Sequence, residues 1–177
     1  MRLFVAINFS SRFKTALTQL TEELAAQAVF CRTTPPENFH LTLAFIGESE
    51  RAVEAEELLS PALGPAFTLK TGSLGRFERQ GGDVCWLGIR REPRLLGLQA
   101  EIEGRLRKAG FELERRPFRP HMTLLRQAAF PPGFDLKAWG RELPVLHERV
   151  TRVSLMRSDL SGPRPVYSEL YGRELDV

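Results

Sequence analysis

Two short stretches constrain the fold more than anything else in the chain. ENFHLTLAF, from Glu37, and RPHMTLLR, from Arg119, place two of the three histidines in one phrase, His-x-Thr-Leu. His121 stands 81 positions after His40. The same offset carries Leu3–Asn8 onto Val84–Ile89, Leu17 onto Leu98, Pro36 onto Pro117, Thr42 onto Thr123 and Leu43 onto Leu124. Both halves therefore read in one order: strand, amphipathic helix, proline-bearing approach, motif-bearing strand. A repeat of about 80 residues is too long for a solenoid unit. Two related lobes that face one another fit it, each bringing its motif to a shared cleft from its own side.

The elements follow from local pattern. RLFVAIN (Arg2 to Asn8) is rich in β-formers and bounded by polar residues, which predicts a strand. Ser10 or Ser11 caps a helix whose Phe13, Leu17, Leu20 and Leu24 recur at helical spacing, to about Gln27. The paired prolines of CRTTPPENF enforce extended backbone. HLTLAFI is the next strand, closed by Gly47, and Ser49 caps a second helix through Val53, Leu58 and Leu59. AFTLKTGSL and DVCWLGIR are strands. Pro93 starts a helix lined by Leu95, Leu98, Ile102 and Leu106, and Gly110 ends it. HMTLL, RVTRVSLMRS and VYSELYGREL are the remaining strands, with FPPGF a loop and DLSGPRP a turn.

Side chains alternate across a strand, so His40 and Thr42 share one face, about 6.5 Å apart, while Leu41, Leu43 and Phe45 are expected on the other. His121 and Thr123 likewise oppose Met122 and Leu124. Each motif offers an imidazole and a hydroxyl on one side and an apolar anchor on the other. A neutral imidazole takes a proton from an attacking oxygen, and a protonated one gives a proton to a departing oxygen. Threonine hydroxyls donate to phosphoryl oxygens as charge grows there. In-line displacement at phosphorus needs attacking and leaving oxygens on opposite sides, which a cleft with one histidine per wall supplies. This chemistry needs no metal. Two copies of the phrase among three histidines would arise by chance on the order of a few times in ten thousand, which favours a joint role over two isolated structural histidines.

Composition excludes little but sets the class. Apolar residues make up 42% and charged residues 27%, the balance of a globular chain. At 177 residues the chain suits a single domain, 1–177, that needs no staples. The N-terminal apolar run stops at Asn8, too short for a secretory h-region or a bilayer span, so a cytoplasmic location is expected. Cys31 and Cys85 form no CxxC and are expected to be free, inert thiols. A net charge of +3 is compatible with an anionic ligand. Nothing points to an obligate partner, and a monomer is expected.

HLTLAFIGE and RPHMTLLR resemble the paired motifs of the two-histidine (2H) phosphoesterase superfamily. More narrowly, RLFVAIN, PENFHLTLAFIGE, FRPHMTLLR and the overall length resemble the bacterial and archaeal RNA 2',3'-cyclic phosphodiesterases, also called 2'-5' RNA ligase-like proteins. The resemblance implies an α+β fold of two pseudo-two-fold, intertwined lobes, with mostly antiparallel sheets lining a central cleft and helices outside. It implies an RNA or oligonucleotide substrate with a 2',3'-cyclic phosphate end, hydrolysed to a 2'-phosphate without cofactor or metal. It also implies an ability to join 2'-5' linkages. By position, His40 corresponds to the proton donor to the leaving 3'-oxygen, His121 to the base, and Thr42, Thr123 and Arg126 to phosphate ligands.

Other residues read less sharply. Arg126 is at odd spacing from His121 and reaches a phosphate only if the strand bends first. Arg119 is on the His121 face by parity, at the rim or in an ion pair. His147 has no motif around it. Phe9, Phe39, Trp86 and Phe118 are expected in core packing rather than against a nucleobase. Three other functions compete: a metal-bound hydrolase, a non-catalytic RNA-binding module, and a 2H enzyme acting on a different cyclic, nucleotide-derived substrate. His-x-His and His-x-x-x-His spacings are absent, which weighs against the first.

Overall fold

A computed structural model describes all residues, Met1–Val177. In chain order it contains β1 (Arg2–Asn8), α1 (Ser11–Ala25), β2 (Phe30–Thr33), a 3-10 turn (Pro36–Asn38), β3 (His40–Glu48), α2 (Ala52–Leu59), β4 (Phe67–Phe77) and β5 (Asp83–Ile89). Then come α3 (Pro93–Lys108), β6 (His121–Ala129), α4 (Leu136–Gly140), β7 (His147–Val150), β8 (Arg152–Asp159) and β9 (Val166–Glu174). The strands form two sheets, β3-β1-β8-β9 and β2-β6-β5-β4-β7. All pairings between these strands are antiparallel. No helix is long and apolar enough to cross a membrane.

The duplicated order seen in the sequence becomes a duplicated pairing. β3 lies beside β1 in one sheet, and β6 lies beside β5 in the other. The halves also exchange parts. β2, from the first half, adds to β6 of the second, and α1 packs against both of those strands. α3, from the second half, packs against β3 of the first. One apolar cluster draws on both sheets and on α1, α2 and α3.

The helices form for local reasons and stay for tertiary ones. The Ser10 hydroxyl accepts the Phe13 N–H at 3.2 Å and so starts α1, whose Phe13, Leu17, Leu20 and Leu24 are buried. In α3 the Glu92 carboxylate accepts the Arg94 N–H at 3.0 Å, Pro93 takes the first turn, and Arg105, Arg107 and Lys108 sit at the negative end of the helix dipole. Leu95, Leu98, Ile102 and Leu106 are fully buried, each contributing about 1.5–3 kcal/mol by leaving water. Gly110, at φ +80°, turns the chain out of the helix in a conformation other residues resist.

The motif strands are not regular. The β1–β3 ladder slips between Leu3 and Phe4 and again between Val5 and Ala6. The β5–β6 ladder slips between Asp83 and Cys85 and again between Cys85 and Trp86. The inner slip leaves one extra residue on each motif strand: Leu43 on β3 and Leu124 on β6, related by the repeat offset. The outer slip falls at Ile46 on β3 and beside Gln127 on β6, where Gln127 takes φ +51°. Bulges free backbone groups, and at each inner bulge the carbonyl finds a partner. The Leu43 carbonyl accepts the Gln99 side-chain amide at 3.3 Å, and the Leu124 carbonyl accepts the Thr34 N–H at 2.9 Å.

The inner bulge corrects one strand-parity expectation and decides another. Two successive residues face the core, Leu43 with Ala44 and Leu124 with Leu125. The next side chain then turns to the open face. Phe45 is therefore not with Leu41 and Leu43 on the core side but in the cleft, and Arg126, at the matching position, is there too. Three other local expectations also needed revision. RVTRVSLMRS is two strands parted at Thr151, β7 and β8, which lie in different sheets. The Cys31 region pairs with β6 as β2 before the prolines turn the chain. α4 follows the FPPGF loop, started by the Asp135 carboxylate accepting the Ala138 N–H at 3.0 Å.

Candidate active site

Residues from both sheets line one cavity of about 530 Å³. His40 and Thr42 enter from β3, and His121, Thr123 and Arg126 from β6, so all five predicted site residues come together. Arg2, Arg32 and Arg164 join them, and no carboxylate lines the cavity. Its potential therefore favours anions.

The two imidazoles are held alike. His40 Nδ1 lies 2.7 Å from the Asn38 carbonyl, and His121 Nδ1 lies 2.6 Å from the Arg119 carbonyl. A carbonyl only accepts, so each Nδ1 carries the proton. Each Nε2 is left as the nitrogen able to exchange a proton with a ligand. Asn38 is itself buried, and its side-chain amide donates to the Pro165 carbonyl at 2.9 Å, which ties the β8–β9 turn to the residue that orients His40. His40 Nε2 lies 3.1 Å from the Thr42 hydroxyl. While His40 is neutral, that hydroxyl donates to it.

Each histidine is also wedged between aromatic rings. Phe4 and Tyr167 lie 5.0 and 5.1 Å from the His40 ring. Phe77 and Trp86 lie 5.3 and 5.7 Å from the His121 ring. Trp86 reaches this place because Gly75, its cross-strand partner on β4, has no side chain. A Cβ there would overlap the indole. Gly75→Ala is therefore expected to lower stability by about 1–3 kcal/mol through overpacking and to disturb His121 as the indole shifts. Chemical denaturation alongside the hydrolytic rate reads both effects, and an unchanged midpoint would contradict this packing.

Burial pushes the His40 pKa below 6.5; the Asn38 carbonyl opposes that shift, and Arg126, His121 and Lys14 add to it by charge repulsion. His40 is accordingly neutral at pH 7 in the free protein. In an NMR titration its ring signals should move with a midpoint below 6.5. A midpoint at or above that value would show that the field around it is wrongly described.

The remaining candidates separate cleanly. Arg119 is exposed, lends only its carbonyl, and makes no ion pair. His147 is exposed on β7. Phe9 and Phe39 are buried in the core, and Phe118 packs against it. Trp86 differs from that expectation: it is half-buried and backs His121. Cys31 and Cys85 are free, and burial raises both thiols, Cys85 to about 11, so neither is a nucleophile near neutral pH. Sequence reasoning missed Arg2, Arg32, Arg164 and Tyr167. No motif surrounds them, and Tyr167 lies far along the chain from both histidines.

Comparison with known proteins bears on this site. Residues 38–162 match the model of the 2'-5' RNA ligase superfamily. The chain belongs to that superfamily. Among curated relatives, an Escherichia coli K12 protein is 37% identical over 96% of this chain and 93% of its own length, and a Thermotoga maritima protein is 31% identical over 97% and 94%. Both are named RNA 2',3'-cyclic phosphodiesterase. Among solved structures, E. coli LigT complexed with 3'-AMP superposes with a TM-score of 0.76 at 28% identity, covering 98% of this chain and 97% of that one. The superfamily match thus spans both motifs, and the structural match carries the mixed, antiparallel α+β architecture.

Proposed function

We propose that this protein hydrolyses RNA 2',3'-cyclic phosphate ends to 2'-phosphates by metal-independent acid–base catalysis, residues 1–177 acting as one unit. One observation carries the reading: two imidazoles with fixed tautomers, from different sheets, line a single cavity free of carboxylates. His121 Nε2 takes a proton from water as the water oxygen bonds to phosphorus. The P–O3' bond breaks, and His40 Nε2–H gives its proton to O3', leaving a 2'-phosphate and a 3'-hydroxyl. Thr42, Thr123 and Arg126 hold the phosphoryl oxygens. With a 5'-hydroxyl in place of water, the same transfers form a 2'-5' linkage.

The donor must be charged although burial keeps His40 neutral in the free protein. The anionic diester supplies the compensation, since a negative charge beside an imidazole raises its pKa. Protonation also removes the acceptor that Thr42 faces, and so releases that hydroxyl to the phosphoryl oxygen. Adding inorganic phosphate should therefore move the His40 titration midpoint upward. A midpoint unmoved by saturating phosphate would argue against an anion resting beside it.

The metal-hydrolase alternative finds only two imidazoles and no carboxylate or thiolate in the cavity, short of the three or four protein ligands zinc takes. The direct test is turnover of a nucleoside 2',3'-cyclic phosphate in excess chelator, with the product identified. Formation of the 2'-phosphate at an undiminished rate is expected. A 3'-phosphate product, or loss of activity on chelation, would overturn the mechanism.

A further inference from the structure

The cyclic phosphate uses only part of the cavity. It carries one negative charge, and the two motifs with Arg126 already surround the place proposed for it. Arg32 stands across the ladder from Arg126 and belongs to the same wall. Arg2 and Arg164 do not. Arg2 pairs with Ser158 on β8, and Ser158 pairs with Tyr167 on β9, so the three form one row across the first sheet. All three line the cavity, as does Arg164 from the β8–β9 turn.

The side chains of this row and of Arg164 have no hydrogen-bond or ion-pair partner within the protein, although Arg51, Arg76, Arg105, Arg107, Arg116 and Arg152 all pair with carboxylates. Arg2 is nonetheless placed, with its guanidinium 4.8 Å from the centre of the Phe45 ring. Tyr167 joins the row to the catalytic centre, because its ring lies 5.1 Å from that of His40. A phosphate would meet two guanidinium forks and two hydroxyls there, all donors and none yet committed.

We infer that Arg2, Ser158, Tyr167 and Arg164 form a second phosphate subsite, which holds the phosphodiester one nucleotide before the cyclic end. The preferred substrate is then an oligoribonucleotide rather than a mononucleotide. This rests on the proposed function, which assigns the first subsite.

Three substrates test it on the unmodified protein: uridine 2',3'-cyclic phosphate, a uridine dinucleotide ending in the cyclic phosphate, and the same dinucleotide with a neutral methylphosphonate linkage. The natural dinucleotide should exceed the mononucleotide in kcat/KM by about tenfold or more, the size of one or two charge-assisted contacts, and the neutral linkage should lose most of that gain. Added salt should erode the gain as well. Arg2→Gln and Arg164→Gln should each shrink the dinucleotide-to-mononucleotide ratio. Equal kcat/KM for mononucleotide and dinucleotide would overturn the subsite while leaving the hydrolytic function standing. A methylphosphonate as good as the phosphodiester would overturn the phosphate contact. Failure to turn over any cyclic phosphate would bring down both proposals.

Discussion

Replacing His121 or His40 with alanine should lower kcat on a nucleoside 2',3'-cyclic phosphate by on the order of a hundred- to ten-thousandfold, the usual contribution of a positioned acid or base. Under the proposed roles the two losses differ in kind. His121→Ala leaves water without a base, whatever the leaving group. His40→Ala leaves the departing oxygen without a proton, which matters only when that oxygen is basic. A p-nitrophenyl phosphodiester, whose leaving group needs no proton, should therefore restore most of the rate to His40→Ala and little to His121→Ala. The proposed mechanism joins the histidines in one concerted step, so the double variant should be scarcely worse than the poorer single one. Near-normal rates in both single variants would end the two-histidine mechanism, and rescue of His121→Ala instead would exchange their roles.

Arg126 carries the second large expectation. Its guanidinium lines the cavity from the β6 bulge, and the proposed role has its two parallel donors meet phosphoryl oxygens. Arg126→Ala should cost about a hundred- to a thousandfold in kcat, comparable to deleting a donor that stabilises transition-state charge. Arg126→Lys keeps the charge but not the fork, and should recover only part of that loss. Steady-state kinetics on the cyclic mononucleotide reads this, with phosphate inhibition reporting ground-state binding. A lysine variant as active as the parent would reduce Arg126 to a point charge. An unaffected alanine variant would remove it from the site.

These residues were unequally legible. The histidines and threonines could be placed from the sequence because their geometry is local. Residues two apart on a strand share a face whatever surrounds the strand. Helices α1 and α3 were legible for the same reason, since caps such as Ser10 and the spacing of Leu95, Leu98, Ile102 and Leu106 act within one element. α4 was not, and α2 starts after Arg51 rather than at the expected Ser49 cap. Phe45 and Arg126 were not. Their direction depends on an extra residue, Leu43 or Leu124, which exists only relative to the neighbouring strand. The split of β7 from β8 is another case, because a continuous run of β-formers does not say which sheet will take each part.

By itself, the sequence determined the pairing of the motifs, the repeat that relates them, and the type of chemistry their side chains support. These are matters of residue identity and short-range period. Tertiary structure alone decided that both imidazoles line one cavity, that burial lowers the His40 pKa, and that Arg2, Ser158 and Tyr167 form a row. Each depends on strands distant in the chain being set side by side, and no local pattern encodes which strands those are.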